Sequence, residues 1–445
     1  MGPAGNGGSR FRGNDAVVEM VPAIRRGTPD FIRANIAFFL AAFSVFASLY
    51  SVQPLLPMFA EYWVRDAGTA SLALSATTAT MAMALIPASM LADRLGRRRL
   101  IVGALLISAA LGILLPFTQV WWQLITLRTL MGLTLAGIPA VAMVYLSEEM
   151  DPEALGFSMG LYIGGTALGG MAGRVISGVL SDLLGWRIGT GILAGLILLA
   201  ALAVALLLPQ PRHSLRDPIR LPELWRRCRA SFDDAALPWL FASAFLLMGG
   251  FVTLYNYAGF RLALPPFALS HSAIAAIFLV YMLGSASSTW AGGLSQRLGR
   301  RKVFWALVAV QCAGIAVAAI PSTPFIIMGL AIATMGFFAA HGIASAWVTR
   351  RARIGRAQAS AIYLVAYYLG ASILGTMGGY AWTAWAWPGV LLVSGGASGA
   401  AGGGQAGIRA AVVGARQSAA AFPPPLRGEG GAQRRMRGPG LRPTR

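Results

Sequence analysis

A nine-residue stretch occurs twice in this chain, first as Leu91-Ala92-Asp93-Arg94-Leu95-Gly96-Arg97-Arg98-Arg99 and then, 203 residues later, as Leu294-Ser295-Gln296-Arg297-Leu298-Gly299-Arg300-Arg301-Lys302. Each copy follows an apolar run of about 20 residues, which is the length that an α-helix needs to cross a bilayer. Basic turns that recur in register at the ends of such runs predict two equivalent halves, related by an axis along the membrane normal.

The rest of the chain fits a polytopic helical membrane protein. Apolar residues make up 56% of the chain and charged residues 12%, whereas a soluble domain carries about 25% charged residues. The predicted fold class is all-α, with two six-helix bundles of the parallel-repeat type. The twelve apolar runs, which we number as spans 1 to 12, lie at 34–57, 71–92, 100–116, 121–146, 155–180, 186–208, 238–260, 271–294, 303–320, 324–348, 358–380 and 385–393.

These runs divide the chain into five parts. Residues 1–33 are polar and Gly-rich and are predicted to form a disordered cytoplasmic tail. The N-terminal six-helix half covers 34–208, a cytoplasmic central loop covers 209–237, and the C-terminal half covers 238–393. Residues 394–445 form an atypical tail rich in Gly, Pro and Arg.

The net charge of +20 can indicate nucleic-acid binding, but the cations lie in short clusters between the apolar runs. With the N-terminus in the cytoplasm, 23 Arg and Lys residues lie on the cytoplasmic side before the C-terminal tail and three lie on the opposite side. Cytoplasmic loops of membrane proteins carry such an excess. The bias predicts a cytoplasmic N-terminus and no nucleic-acid partner. The two cysteines form no metal-binding pattern, so neither a metal nor a cofactor is expected.

The first copy of the repeated stretch resembles motif A of the major facilitator superfamily, G-x-L-A-D-R-x-G-R-R, and the resemblance covers about residues 34–390. It implies an alternating-access transporter in which Asp93 faces the N-terminus of span 11 and latches the halves in one state. In the second copy Gln296 replaces the acid. The alternative is a turn that only sets topology. The remaining matched residues are Arg94, Gly96, Arg97, Arg98, Arg297, Gly299, Arg300 and Arg301.

Two arginines lie inside apolar runs. Arg128 and Gly132 resemble motif B of the family in span 4, and Arg174 lies in span 5. A charge inside the bilayer costs at least ~2.5 kcal/mol, which favours a role in coupling or substrate binding. If both face the cavity, they suit an anionic or carboxylate-bearing substrate. The alternatives are snorkelling of Arg128 and a structural network between the two spans.

Span 5 also resembles motif C, which marks the antiporter branch of the family. Gly165 stands where that motif has Pro. Small residues four apart allow close helix packing, so packing alone is the alternative explanation. The glycines concerned are Gly160, Gly164, Gly165, Gly169 and Gly170.

None of the sixteen acidic residues lies deep within an apolar run. His341 in span 10 has a side chain whose ordinary pKa suits proton exchange, although a packed histidine is the alternative. Tyr162 and Tyr363 occupy equivalent positions of the two halves and are predicted to line the cavity, whereas tyrosines near helix ends can also be interface anchors. Further cavity candidates are Tyr255, Asn256, Tyr257, Tyr367 and Tyr368.

The family pattern fails after Val393, where Ser394-Gly395-Gly396 begins a Gly- and Ala-rich stretch. Each Gly disfavours a helix by about 1 kcal/mol. We therefore expect span 12 to fail and residues 394–445 to be disordered.

These features predict a monomeric, multi-pass secondary transporter in the cytoplasmic membrane of a bacterium, which exports a small molecule by proton antiport. Proton-coupled uptake of a metabolite remains open, as does a non-transporting protein whose twelfth helix is disrupted. The sequence Gly156-Phe157-Ser158-Met159-Gly160 matches the nucleophile elbow of hydrolases. That motif needs a strand before it, so no enzyme activity is expected.

Overall fold

The computed structural model describes residues 23–212 and 221–421, with the backbone alone for residues 404–421. Within these residues the regular structure is helical. The helices are α1 (Pro29–Tyr50), α2 (Leu56–Tyr62), α3 (Ala67–Leu95), α4 (Arg97–Leu114), α5 (Trp121–Leu135), α6 (Pro139–Glu149), α7 (Pro152–Leu184), α8 (Trp186–Leu207), α9 (Leu221–Ala230), α10 (Leu237–Ala263), α11 (His271–Ala276), α12 (Tyr281–Leu298), α13 (Arg300–Val317), α14 (Thr323–Arg351) and α15 (Arg356–Ala421).

Ten helical segments of the described chain are long and apolar enough to cross a membrane. Helix α13 adds an eleventh, since it has 18 residues and its low hydropathy comes from the three cations that begin it. Helix α15 contains two spans, because its backbone is non-helical at Ala386 (φ 49°, ψ −140°). Spans 1, 4 and 8 are each built from two consecutive helices. The predicted arrangement of two six-helix bundles is confirmed.

The two repeated turns have the same backbone geometry. Gly96 separates α3 from α4 with φ 86° and ψ 139°, and Gly299 separates α12 from α13 with φ 87° and ψ 134°. This region of backbone space is accessible essentially to glycine alone. The glycine that the repeated stretch has at each turn is therefore required by the conformation that the turn adopts.

In each half, a glycine at the equivalent position lets two helices approach closely. A Cβ atom on Gly169 of α7 would overlap the backbone of Phe43 on α1, and one on Gly370 of α15 would overlap the backbone of Phe245 on α10. Helix backbones that approach this closely gain van der Waals contact that larger side chains would prevent. The internal repeat seen in the sequence therefore extends to the packing of span 5 on span 1 and of span 11 on span 7.

The predicted disordered tail is too long. Thr28 caps α1 by accepting a hydrogen bond from the Phe31 N–H (3.2 Å), so the helix begins before residue 34. Ile24 is buried and its N–H donates to the Glu149 carbonyl (2.8 Å), which fixes the chain just before the helix. Residues 1–22 lie outside the described residues. The central loop contains α9, and its residues 213–220 also lie outside them.

The expected failure of span 12 after Val393 is wrong for the residues that the structure describes, because α15 continues to Ala421. The Ser394 hydroxyl donates to the Gly250 carbonyl (2.7 Å), and the Gln311 amide donates to the Ser398 hydroxyl (3.0 Å). Small side chains let this helix approach α10 and α13 closely. A helix also satisfies its own backbone groups in an apolar environment, and together these effects outweigh the glycine penalty. Residues 422–445 lie outside the described part of the chain.

The bundle has two chemically different ends. We call the end that carries both repeated turns the basic end, and the other the opposite end. Hydrogen bonds join the halves near the opposite end: Ser372 donates to the Ser75 carbonyl (2.8 Å), and the Ser272 N–H donates to the Asp182 carboxylate (3.1 Å). Ser75 lies eight residues into α3, which is about 12 Å of helix. The halves are therefore held together on the side away from the basic turns.

Candidate functional site

Arg128 lies inside the N-terminal half and is fully buried. Its guanidinium donates to three backbone carbonyls, those of Ala73 (2.8 Å), Ser48 (2.9 Å) and Leu49 (2.7 Å). Ser48 and Leu49 belong to the last turn of α1, where the helix dipole favours a cation. Arg128 thus ties α5 to α1 and α3. This geometry fits a structural clamp, and a direct role in substrate binding stays a prediction.

Arg174 lies at the seam between the halves and is also buried. Its Nε donates to the Gln53 side chain (2.7 Å) and its Nη1 to the Gly170 carbonyl (2.6 Å). The guanidinium carbon lies 4.0 Å from the ring centre of Tyr50 and 4.7 Å from that of Tyr281 in the other half. Aromatic faces attract a cation more strongly when water is excluded. Of these two arginines, Arg174 therefore lies between the halves, whereas Arg128 lies away from the seam.

A hydrogen-bonded chain extends from Arg174 across the seam. Gln53 accepts from Arg174 and donates through Nε2 to Asn256 of α10 (2.8 Å). The Nδ2 atom of Asn256 is buried without a hydrogen-bond partner among the described residues. A buried amide group without a partner costs about 1–3 kcal/mol. Gln53 thus links the buried Arg174 of one half to Asn256 of the other.

Sequence reasoning missed Gln53 and the aromatic rings around Arg174. Gln53 is the polar residue in a short 3₁₀ turn between α1 and α2, a break in span 1 that the apolar run concealed. A buried cation with no nearby acid was the available signal, since such a group needs amides, carbonyls or rings as partners.

His341 and Tyr363 were candidates on different spans, and the structure brings them into contact. The Nδ1 atom of His341 on α14 lies 2.9 Å from the Tyr363 hydroxyl on α15. The imidazole ring also lies 4.6 Å from the Tyr367 ring, centre to centre. His341 is ten residues from the end of α14, or about 15 Å of helix, which places it near the middle of the bundle. Tyr162 is not part of this contact, and its ring packs on Phe38 of α1.

The two basic turns contain the remaining candidate site residues, which were predicted to act in gating. Asp93 is exposed and its carboxylate has no hydrogen-bond or ion-pair partner among the described residues. Arg97 forms a buried ion pair with Glu148 (Nη2 to Oε1 2.9 Å), and Arg98 donates to the Leu208 carbonyl at the end of α8 (2.7 Å). The latch predicted for Asp93 is not formed in this conformation, and its gating role stays a prediction.

The glycines of the predicted motif C on α7 fall into two groups. Cβ atoms on Gly165 and Gly169 would meet the α1 backbone, whereas those on Gly160 and Gly164 would meet nothing within 4 Å. Gly170 faces the Arg174 guanidinium and Tyr50. Part of this stripe therefore serves close packing of α7 on α1, which was the alternative explanation of the pattern.

Comparison with known proteins decides the family. The family model described as Major Facilitator Superfamily matches residues 38–265. The chain is 41% identical over 367 residues to the inner membrane transport protein YnfM of Escherichia coli (strain K12), covering 82% of this chain and 88% of the relative. This chain belongs to the major facilitator superfamily. It is also 38% identical over 368 residues to the uncharacterized MFS-type transporter YybF of Bacillus subtilis (strain 168), with coverage of 83% and 91%.

Solved structures agree on the fold of this facilitator. A bacterial homologue of the human lysosomal transporter Spinster, in an inward-facing and unoccupied conformation, matches with a TM-score of 0.66 at 16% identity, covering 86% of this chain and 96% of that one. The nucleoside transporter NupG matches with a TM-score of 0.70 at 15% identity, covering 85% and 99%. Its family and its relatives named as transporters make the chain a multi-pass membrane transporter and not an enzyme. The stretch that matches the nucleophile elbow lies within α7, where Ser158 is buried in a helix.

Proposed function

We propose that this facilitator exports a small molecule in exchange for protons, by alternating access between its two halves. The observation that carries the proposal is the 2.9 Å contact between His341 and Tyr363. It places a titratable imidazole near the middle of a bundle in which the deep part of each span lacks a described carboxylate. An imidazole can accept and release a proton, so His341 is the residue proposed to carry the proton.

Alternating access is supported by the chemistry of the seam. Serine hydroxyls, a glutamine–asparagine pair and the Arg174–aromatic contacts join the halves, beside close packing such as that of Gly68 on Gly379. These polar groups can exchange their partners for water when the halves separate. With the basic end in the cytoplasm, as the charge bias predicts, contacts at the opposite end correspond to an inward-facing state. The direction of transport is supported by the resemblance of α7 to motif C, in which Gly165 and Gly169 pack on α1.

The test uses purified protein in proteoliposomes that contain the pH indicator pyranine. A panel of small organic cations and carboxylates is added outside, and compound-dependent movement of protons is followed. Antiport predicts that protons and compound move in opposite directions, whereas symport predicts movement in the same direction. The absence of flux for every compound, with folding intact by thermal unfolding, would support the non-transporting alternative.

The role of His341 is tested by His341→Gln, with Tyr363→Phe as a matched variant that keeps the ring. His341→Gln is expected to abolish compound-driven proton movement while exchange of labelled for unlabelled compound persists, because exchange needs no net proton transfer. Proton movement at the wild-type rate in His341→Gln would remove His341 from the proposal. Loss of both readouts would indicate a structural role.

A further inference from the structure

The basic end of the C-terminal half contains an open groove with a volume of about 1360 Å³. It lies where the second repeated turn meets the ends of α12, α13 and α14 and the residue Gly403 of α15. Among the described residues, four cations and two tryptophans line it, and none of these lining residues is acidic. The lining side chains that carry the argument are Arg300, Arg301, Lys302, Trp305, Trp347 and Arg350.

The first repeated turn lines a smaller groove of about 390 Å³, and Asp93 is among its lining residues. Its Arg97 is paired with Glu148, and its Arg98 donates to the carbonyls that end α8. The reason lies in span 4, where α6 ends in Glu148 and Glu149. The corresponding span 10 ends in Arg350 and Arg351, so the second turn meets cations where the first meets acids.

The position of the groove limits what it can hold. It lies at the ends of membrane-spanning helices, which is the level of lipid headgroups. Trp305 is 37% exposed, and tryptophan is enriched at this level because its ring has an apolar body and a polar N–H. Basic pockets between spans suit anionic headgroups, while a small soluble anion without an apolar part would gain nothing from the tryptophans.

We propose that this groove binds the headgroup of an anionic phospholipid, with Arg300, Lys302 and Arg350 around the phosphate and Trp305 and Trp347 against the glycerol and upper acyl carbons. Each cation near an anionic lipid surface contributes about 1 kcal/mol. The site is independent of the transported compound and of the direction of transport, so it can be tested apart from the proposed function.

The test measures thermal stabilisation of the purified full-length protein in neutral detergent by dioctanoyl phosphatidylglycerol. Dioctanoyl phosphatidylcholine and glycerol 3-phosphate are the two comparison probes. The wild type is expected to show saturable stabilisation by phosphatidylglycerol that exceeds the effect of both. Equal stabilisation by glycerol 3-phosphate would overturn the lipid assignment in favour of a soluble anion, and equal stabilisation by phosphatidylcholine would show that no anion is recognised.

The groove is tested by the double variant Arg300→Gln/Lys302→Gln. Its affinity for phosphatidylglycerol is expected to fall about 30-fold, as two cations at about 1 kcal/mol each imply. The matched control is Arg99→Gln/Arg229→Gln, which removes two exposed cations of the basic end outside the groove and is expected to bind as the wild type does.

A third variant distinguishes lipid binding from binding of a soluble anion, and a second readout separates lipid binding from protein stability. Trp305→Ala leaves every charge in place and is expected to weaken phosphatidylglycerol binding several-fold without affecting glycerol 3-phosphate. The number of lipids retained by each variant is counted by native mass spectrometry, which does not depend on thermal stability. Unchanged affinity in the double variant, or equal losses in the control, would overturn the proposal.

Discussion

The two repeated turns begin from nearly the same sequence and have the same backbone, yet they sit in opposite electrostatic surroundings. Around Gly96 the cations are used internally, since Arg97 pairs with Glu148 and Arg98 caps α8. Around Gly299 the cations line an open groove beside Arg350. The difference arises outside the repeat, from Glu148 at the end of α6 in the place where α14 has an arginine. The shared motif thus specifies the backbone of the turn. The neighbouring span determines whether the cations of the turn form an ion pair or line a groove.

The two turns are expected to differ most in the stability lost when an arginine is replaced, in Arg97→Ala compared with Arg300→Ala. Removing Arg97 breaks its ion pair with Glu148, whose side chain is only 12% exposed, and breaking a buried ion pair costs about 3–5 kcal/mol. Arg300 faces the groove, and its loss is expected to cost less than about 1 kcal/mol. Thermal unfolding in detergent compares the two. Equal losses would show that the second turn also depends on a buried ion pair, and the comparison would fail.

A smaller loss is expected for Arg98→Ala, since its guanidinium caps α8 through the carbonyls of Ala205 and Leu208. Hydrogen bonds from a charged group contribute about 1.5–3 kcal/mol. The neighbouring Arg99→Ala removes an exposed cation and serves as the control, with little change expected. Hydrogen exchange at the end of α8 should increase in Arg98→Ala alone. Protection equal to that of the wild type would remove the capping role.

The glycines should behave alike in both turns. Gly96→Ala and Gly299→Ala each place a side chain at a positive φ, which costs about 1–2 kcal/mol. Neither site has a neighbour within 4 Å of an added Cβ atom, so backbone strain is the only expected cause. Thermal unfolding of the two variants should give matching losses. A loss in one turn alone would show that the shared backbone geometry is not equally strained.

The smallest effect is expected for Asp93, which is acidic in the first turn, whereas the second turn has the neutral Gln296. Asp93→Asn is expected to slow turnover by up to about fivefold, because a carboxylate near a helix N-terminus contributes 0.3–1 kcal/mol. Membrane insertion and unfolding temperature should not change, since Asp93 is exposed in this conformation. Gln296→Leu in the second turn serves as the neutral comparison. Wild-type turnover in Asp93→Asn would remove the latch assignment.

Much of the fold could be predicted from the sequence, because bilayer-length apolar runs and glycine at short turns are local signals. Eleven spans, the repeat and the twofold design follow from them. The errors occurred where tertiary contacts outweigh local propensity. Ser394 and Ser398 hold span 12 against its neighbours despite the glycines, and Ile24 orders the chain before α1.

Less of the candidate site than of the fold could be predicted from the sequence. Arg128 and Arg174 were singled out by the cost of a membrane charge, a signal that says a partner exists but not which one. The partners are backbone carbonyls for Arg128 and Gln53 with aromatic rings for Arg174. The contact of His341 with Tyr363 joins two spans at a depth that no local pattern specifies.

The sequence by itself determined the class of protein, eleven of the spans, the internal repeat and the glycine turns, because each depends on hydrophobic length or on the backbone of one or two residues. Only the tertiary structure decided that Arg128 binds backbone carbonyls within one half, that Arg174 lies at the seam, and that Arg97 of one basic turn pairs with an acid while the cations of the other turn line the larger groove. These properties depend on which side chains meet across spans, and charge, burial and hydrogen bonding act through space and not along the chain.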